Sequence, residues 1–174
     1  PQIGLKENRD WFRQRNRDLH KLDVLVIGHF NIEFLVGDPK GKDGPRGFFK
    51  FYNELWDEKQ LGPKPVKNPL DLLEKNADGT PRINNSYSIG GMKEYWGCLR
   101  NPHWRAVLKA WVRFAIRRGV DGFVINYYYR HDCHCAHCVS GFKSHLAGRY
   151  DKEKLTKLFG IAHLGKHTFD EIGS

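Results

Sequence analysis

The chain has 174 residues, is 40% hydrophobic and 13% aromatic, and carries a formal net charge of +9. This is enough chain and apolar surface for a folded domain, and it excludes a disordered tract. No apolar run approaches the length of a membrane span and no signal peptide is visible, so no membrane partner is expected.

The positive charge invites a nucleic-acid reading. The basic residues are instead spread along amphipathic segments (Arg9, Arg13, Arg15 and Arg17, then Arg113, Arg117 and Arg118) with no dense block. That spread argues for solvated helix faces and against a nucleic-acid partner. The chain opens on Pro1 and stops inside what reads as a new element, Thr168–Ile172, so a piece of a longer protein is expected.

Residues 7–20 read as an amphipathic helix, with Trp11, Arg15 and Leu19 on one stripe and Phe12 beside it. Asp23–Phe30 reads as a strand whose run Val24, Leu25, Val26, Ile27 is apolar on both faces, as in a parallel sheet. His29, Asn31 and Glu33 gather at its C-terminal end, where parallel α/β sheets place ligands. Glu33 is a candidate catalytic carboxylate, weighed evenly against a solvated loop side chain.

Residues 36–66 look like an elaborate loop broken by glycines and prolines. Within it Phe48, Phe49, Phe51, Tyr52, Leu55 and Trp56 form a helical turn pattern, either a small core under the loop or an aromatic lid. Pro69–Lys75 reads as another helical turn, and Asn76 to Gly79 as a tight turn. Residues 81–100 look extended and loop-like, with Gly90 and Gly91 letting the backbone bend. Trp96 is a candidate stacking surface.

Asn101 is a good N-cap and Pro102 fits the first position of a helix. Trp104, Leu108, Trp111 and Ala115 form its apolar stripe, widened by Val107 and Val112. Gly119 closes it, and Val120 leads into a second strand through Phe123, Val124, Ile125, Tyr127 and Tyr128. Helix and strands together make a βαβ unit. Asn126, Tyr128 and Arg130 sit at or just past the second strand's end and join His29, Asn31 and Glu33 as candidate substrate contacts.

Cys133, Cys135 and Cys138 follow in the spacing C-x-C-x-x-C, with His131, His134 and His137 interleaved. Thiolates this close in a loop point to a zinc ion. The helix–strand pair returns the chain near Cys98, so Cys98 completes a closed four-thiolate site; one of the histidines replacing a cysteine is the alternative. Cys133 and Cys135 are awkwardly spaced to pair with each other, which favours reduced, metal-bound thiols and a cytoplasmic setting. Beyond them Phe142, Leu146 and Tyr150 mark a helix one or two turns past Cys138. Asp151 can cap a further helix with Leu155, Leu158 and Phe159 inward, ended by Gly160.

The order Cys98, Asn101-Pro102-x-Trp104-Arg105, a helix, a Gly-x-Asp-Gly strand, the three cysteines, Phe142 and Arg149-Tyr150 resembles a known family. It looks like the N-terminal half of the catalytic domain of clan A beta-galactosidases (glycoside hydrolase family forty-two) and related glycosyl hydrolases, chiefly over residues 98–160. The resemblance implies a single domain, residues 1–174, forming part of a (β/α)8 barrel with a structural zinc near the active-site face. It also implies a carbohydrate substrate and glycoside hydrolysis in the full-length protein.

One departure from the family stands out. In those enzymes the equivalent strand ends in an Asn-Glu pair whose Glu is the general acid/base, whereas here Asn126 is followed by tyrosines. In fucosidase-like barrels the place of Asn126 holds an Asp nucleophile. An amide performs neither role, so no catalytic pair carries over. The rival readings are a non-catalytic sugar-binding or structural barrel protein with a zinc, and a zinc-containing nucleic-acid binder. The sequence leaves open whether the chain forms a homo-oligomer.

Overall fold

The computed structural model describes residues 6–126 and 132–170. It divides the chain into two compact units, Pro1–Leu73 with Ile83–Tyr129 and Glu74–Arg82 with Arg130–Ser174.

In the first unit, helix α1 spans Lys6–His20, close to the expected bounds. The face it buries is not the expected one. Trp11 is 59% and Phe12 44% exposed, whereas Asn16 is fully buried. Asn16 Nδ2 donates to the Arg118 carbonyl at 2.8 Å, satisfying a group just past a helix end that would otherwise lack a partner. His20 Nε2 lies 2.8 Å from Asp121 Oδ2, and Val26 N donates to the same carboxylate oxygen at 2.7 Å.

Strand β1 (Ile27–Asn31) pairs in parallel with β6 (Gly122–Asn126), in register from Ile27 opposite Gly122 to Asn31 opposite Asn126. Regular pairing therefore starts several residues after Asp23. Alternation puts Ile27, His29 and Asn31 on one face with Gly122, Val124 and Asn126. Phe30 turns to the other face, where its ring meets Trp111 and Phe123.

The expected two-sided burial fails. Leu25 is 73%, Ile27 55%, Val124 58% and Ile125 46% exposed. An apolar run records preference for burial, and only neighbouring elements can supply it.

The barrel expectation is overturned. Among the described residues, parallel pairing is confined to β1 and β6. The other strands, β2 (Phe34–Asp38), β3 (Arg46–Gly47), β4 (Ile83–Ile89) and β5 (Met92–Trp96), form a separate antiparallel sheet in the order β3-β2-β5-β4. The excursions read as long loops supply these strands. Gly90 and Gly91, at φ 57° and 72°, take the left-handed conformation of a tight hairpin turn and join β4 to β5. Phe34 then lies opposite Trp96 and Leu35 opposite Tyr95.

Helix α2 (Phe48–Lys50) runs into a π-helical turn over Phe51–Leu55, and α3 follows at Glu58–Leu61. Their aromatic residues are core. Phe49 is 1% and Tyr52 0% exposed, and they pack with Leu72, Leu73, Tyr95, Trp104, Val107 and Phe114. Truncating a buried aromatic side chain of this kind costs about 3–5 kcal/mol.

Helix α4 (Pro102–Ile116) is capped as the sequence foretells, with Asn101 Oδ1 accepting from His103 N at 2.9 Å. Its fully buried line is Trp104, Val107, Ala110 and Phe114, rotated from the expected stripe; Leu108 and Trp111 are only partly buried.

The second unit holds α5 (Ala136–Arg149) and α6 (Lys152–Phe159). Helix α5 starts before Cys138 rather than after it. Asp151 caps α6, its Oδ1 accepting from Lys154 N at 2.8 Å, and Gly160 ends it. The core here is small: Leu146, Leu155 and Ile161, flanked by Phe142, Tyr150, Leu164 and Phe169. Leu155 points inward as expected, but Leu158 is 61% and Phe159 48% exposed. No helix among the described residues is long and apolar enough to cross a membrane.

Candidate metal centre

Cys98 follows β5 and sits in a turn fixed from several sides. Its N–H donates to the Leu72 carbonyl at 3.0 Å, and its own carbonyl accepts from Asn101 N at 2.9 Å. Asn101, 1% exposed, caps α4 with its oxygen and donates its Nδ2 to the Asp71 carbonyl at 2.7 Å. Just upstream, Gly97 N donates to the Glu33 carbonyl at 2.8 Å. A Cβ on Gly97 would run into the Trp104 ring, so only glycine lets this backbone lie flat on the indole.

Cys133, Cys135 and Cys138 sit at the start of α5. Cys135 is its N-cap residue, and its carbonyl accepts from Cys138 N and Val139 N, both at 3.0 Å. The positive end of a helix favours thiolate over thiol. The preceding segment is tied down by His134 N, which donates to the Lys75 carbonyl at 2.9 Å, and by the Arg82 guanidinium, which donates to the Asp132 carbonyl. Arg82 also faces Glu74 at 3.8 Å.

Four buried thiols converge. The Sγ atoms of Cys98, Cys133, Cys135 and Cys138 all lie within 4.8 Å of one another, and none is in a disulfide. A tetrahedron with ~2.3 Å metal–sulfur bonds has sulfur–sulfur edges of about 3.8 Å, so small side-chain shifts suffice to close it on one ion. The four cysteines are 2–8% exposed. This buried four-cysteine cluster is able to hold a metal ion. His134 and His137 do not belong to it, and His131 lies outside the described residues.

The remaining site candidates fall into three groups. His29, Asn31 and Asn126 share one face at the carboxyl end of the parallel pair, with Asn126 Nδ2 and His29 Nε2 3.2 Å apart. Glu33 and Trp96 are buried at 4% and 7% exposure, so little of the Trp96 ring is open for stacking. Tyr128 and Arg130 lie outside the described residues.

Sequence reasoning missed Gly97, the second bond of Asn101, and the clamps from Lys75 and Arg82. Each is a pairing across long sequence separation and leaves no local signal.

No protein-family model, no curated protein and no solved structure matches the chain. The resemblance to clan A beta-galactosidases therefore stands on its residues alone.

Proposed function

We propose that this chain is a structural-zinc module of a carbohydrate-active protein, contributing a polyhydroxyl-binding surface. The observation that carries the reading is the buried four-cysteine cluster; the cysteine pattern and flanks, which resemble those of the beta-galactosidase family, support it. Four thiolates leave a zinc ion no open position for water, so its work is structural. It fixes the cysteine segment, and its binding free energy becomes folding free energy.

The ligand surface is the polar face formed by His29, Asn31 and Asn126. Imidazole and amide groups both donate and accept, which suits sugar hydroxyls. Hydrolysis needs two carboxylates flanking the glycosidic bond. Of the candidate contacts at these strand ends only Glu33 carries one, so the role assigned to this chain is binding. A hydrolytic role for Glu33 is the second reading, resting on its place just past the end of β1; at 4% exposure its side chain must be uncovered to meet a sugar.

The test is glycan-array binding of the metal-loaded protein beside an Asn126→Ala variant, with aryl-glycoside turnover measured for wild type and Glu33→Gln. Sugar binding lost in Asn126→Ala supports the module. No glycan binding by wild type contradicts it. Turnover abolished in Glu33→Gln selects the hydrolytic reading.

A further inference from the structure

Helix α4 buries one side in the aromatic core and turns a row of cations to solvent. Arg105, Lys109, Arg113 and Arg117 follow one another at i, i+4 spacing and all are exposed, while Trp104, Val107, Ala110 and Phe114 take the buried side. At a rise of ~1.5 Å per residue the row is about 18 Å long.

Nothing in the helix balances these charges. Residues 102–116 hold no Asp or Glu, and among the described residues none of the four cations forms an ion pair. Arg105 donates to the Leu99 and Arg100 carbonyls at 3.0 and 3.1 Å, and Arg117 donates to the Gln60 carbonyl. These are neutral acceptors, so both charges stay uncompensated. On α1, by contrast, Lys6 pairs with Asp10 and Lys21 with Asp18. Like charges one turn apart destabilise a helix. The helix dipole favours cations in the last turn, at Arg113 and Arg117, but does not account for Arg105 and Lys109.

The fold lengthens the row. Asn16 and Arg118 are 102 residues apart in the chain, yet Asn16 Nδ2 bonds to the Arg118 carbonyl and sets α1 beside the end of α4. Burial, and then the like charges of Arg9, Arg117 and Arg13, lower the Arg118 pKa below the ordinary guanidinium value, with Asp10 opposing. Arginines that are scattered in the sequence therefore crowd where the two helices meet.

We propose that this row binds duplex nucleic acid along its phosphate backbone. A straight, rigid line of cations matches a partner with regularly spaced anions, and about 18 Å of helix corresponds to about five phosphates of one strand at ~3.4 Å each. Guanidinium groups present paired donors that fit phosphate oxygens. Within α4 the one large, well-exposed apolar side chain is Ile116, at 55%, so no apolar face accompanies the row into a lipid surface. The row shares no residue with the His29, Asn31 and Asn126 face or with the cysteine cluster, and the proposal goes beyond the sugar-binding reading.

The experiment is fluorescence anisotropy of a short labelled DNA duplex of mixed sequence, titrated with the metal-loaded protein over a series of salt concentrations. Saturable binding is expected, with a log–log salt slope of about −3 to −4, because each neutralised phosphate contributes about −0.9. Lys109→Gln combined with Arg113→Gln should reduce that slope by about 2 and weaken binding at low salt at least about tenfold. Lys152→Gln combined with Lys157→Gln removes the same charge from exposed positions on α6 and should leave both values unchanged.

No saturable duplex binding at low salt, a slope near zero, or equal losses in the two double variants would overturn the proposal. Tighter binding to phosphatidylserine vesicles than to the duplex would overturn it too, by assigning the row to a membrane surface. The wild-type slope and the vesicle comparison decide the matter even where a variant fails to fold. Failure here leaves the metal and glycan results untouched.

Discussion

The two compact units solve the problem of stability differently. The first has a continuous aromatic core in which Phe49, Tyr52, Trp104 and Val107 are at most 1% exposed. The second closes three buried aliphatic residues, Leu146, Leu155 and Ile161, under a rim of partly buried rings. A core that small supplies little hydrophobic stabilisation, and small units of this kind depend on a staple. Three of the four clustered cysteines lie in the segment that begins this second unit's helices. The contrast shows why the sequence invests thiols beside α5 and tryptophans around α4.

The sharpest way to break this contrast is to deny the cysteine cluster a metal ion. Chelation, or Cys133→Ser, should open α5 and α6 to rapid hydrogen exchange while amides of α4 stay protected, because metal affinity is folding free energy for the segment it orders and α4 has a large core of its own. Equal loss of protection in both units would refute the division of labour.

The converse change is Trp104→Ala. It removes a fully buried indole and its 2.8 Å bond to the Ile32 carbonyl, and should cost about 3–5 kcal/mol in denaturant melts. Gly97→Ala sharpens the link between core and metal. The added methyl group meets the Trp104 ring, and overpacking of this kind costs about 1–3 kcal/mol. Affinity of the cysteine cluster for a metal ion should fall with it, since Gly97 adjoins Cys98.

Asn101→Ala should cost about 1–2 kcal/mol, because it removes both the cap of α4 and the bond to the Asp71 carbonyl. The smallest effect belongs to Asp121. Its pKa is lowered by the Val26 N–H and by His20. A carboxylate with a lowered folded pKa stabilises above its unfolded pKa and loses that contribution as pH falls through the folded value. Wild type should therefore lose stability relative to Asp121→Asn only at acid pH, below the ordinary carboxylate range. A constant difference between the two across the acid range would remove this role.

What was legible in the sequence was local or chemically singular. Asn101-Pro102 announces a helix start because a cap needs only its next few residues, and Asp151 with Gly160 brackets α6 for the same reason. The cysteine spacing points to a metal because few other uses bring thiols so close, and Cys98 joins the group as expected.

The antiparallel sheet was not legible. Its strands lie in segments rich in glycine, proline and polar residues, and its register rests on partners as distant as Phe34 and Trp96. The exposure of Val124 and Ile125 was equally hidden, since an apolar run does not say what will cover it. The family resemblance supplied a barrel that this sheet does not form.

The most direct test of the central claim is metal content by native mass spectrometry, on protein purified without added metal, with reactive thiols counted in parallel. The account predicts one zinc ion per chain and no reactive cysteine until a chelator is added. A metal-free chain with four freely reactive thiols would contradict it.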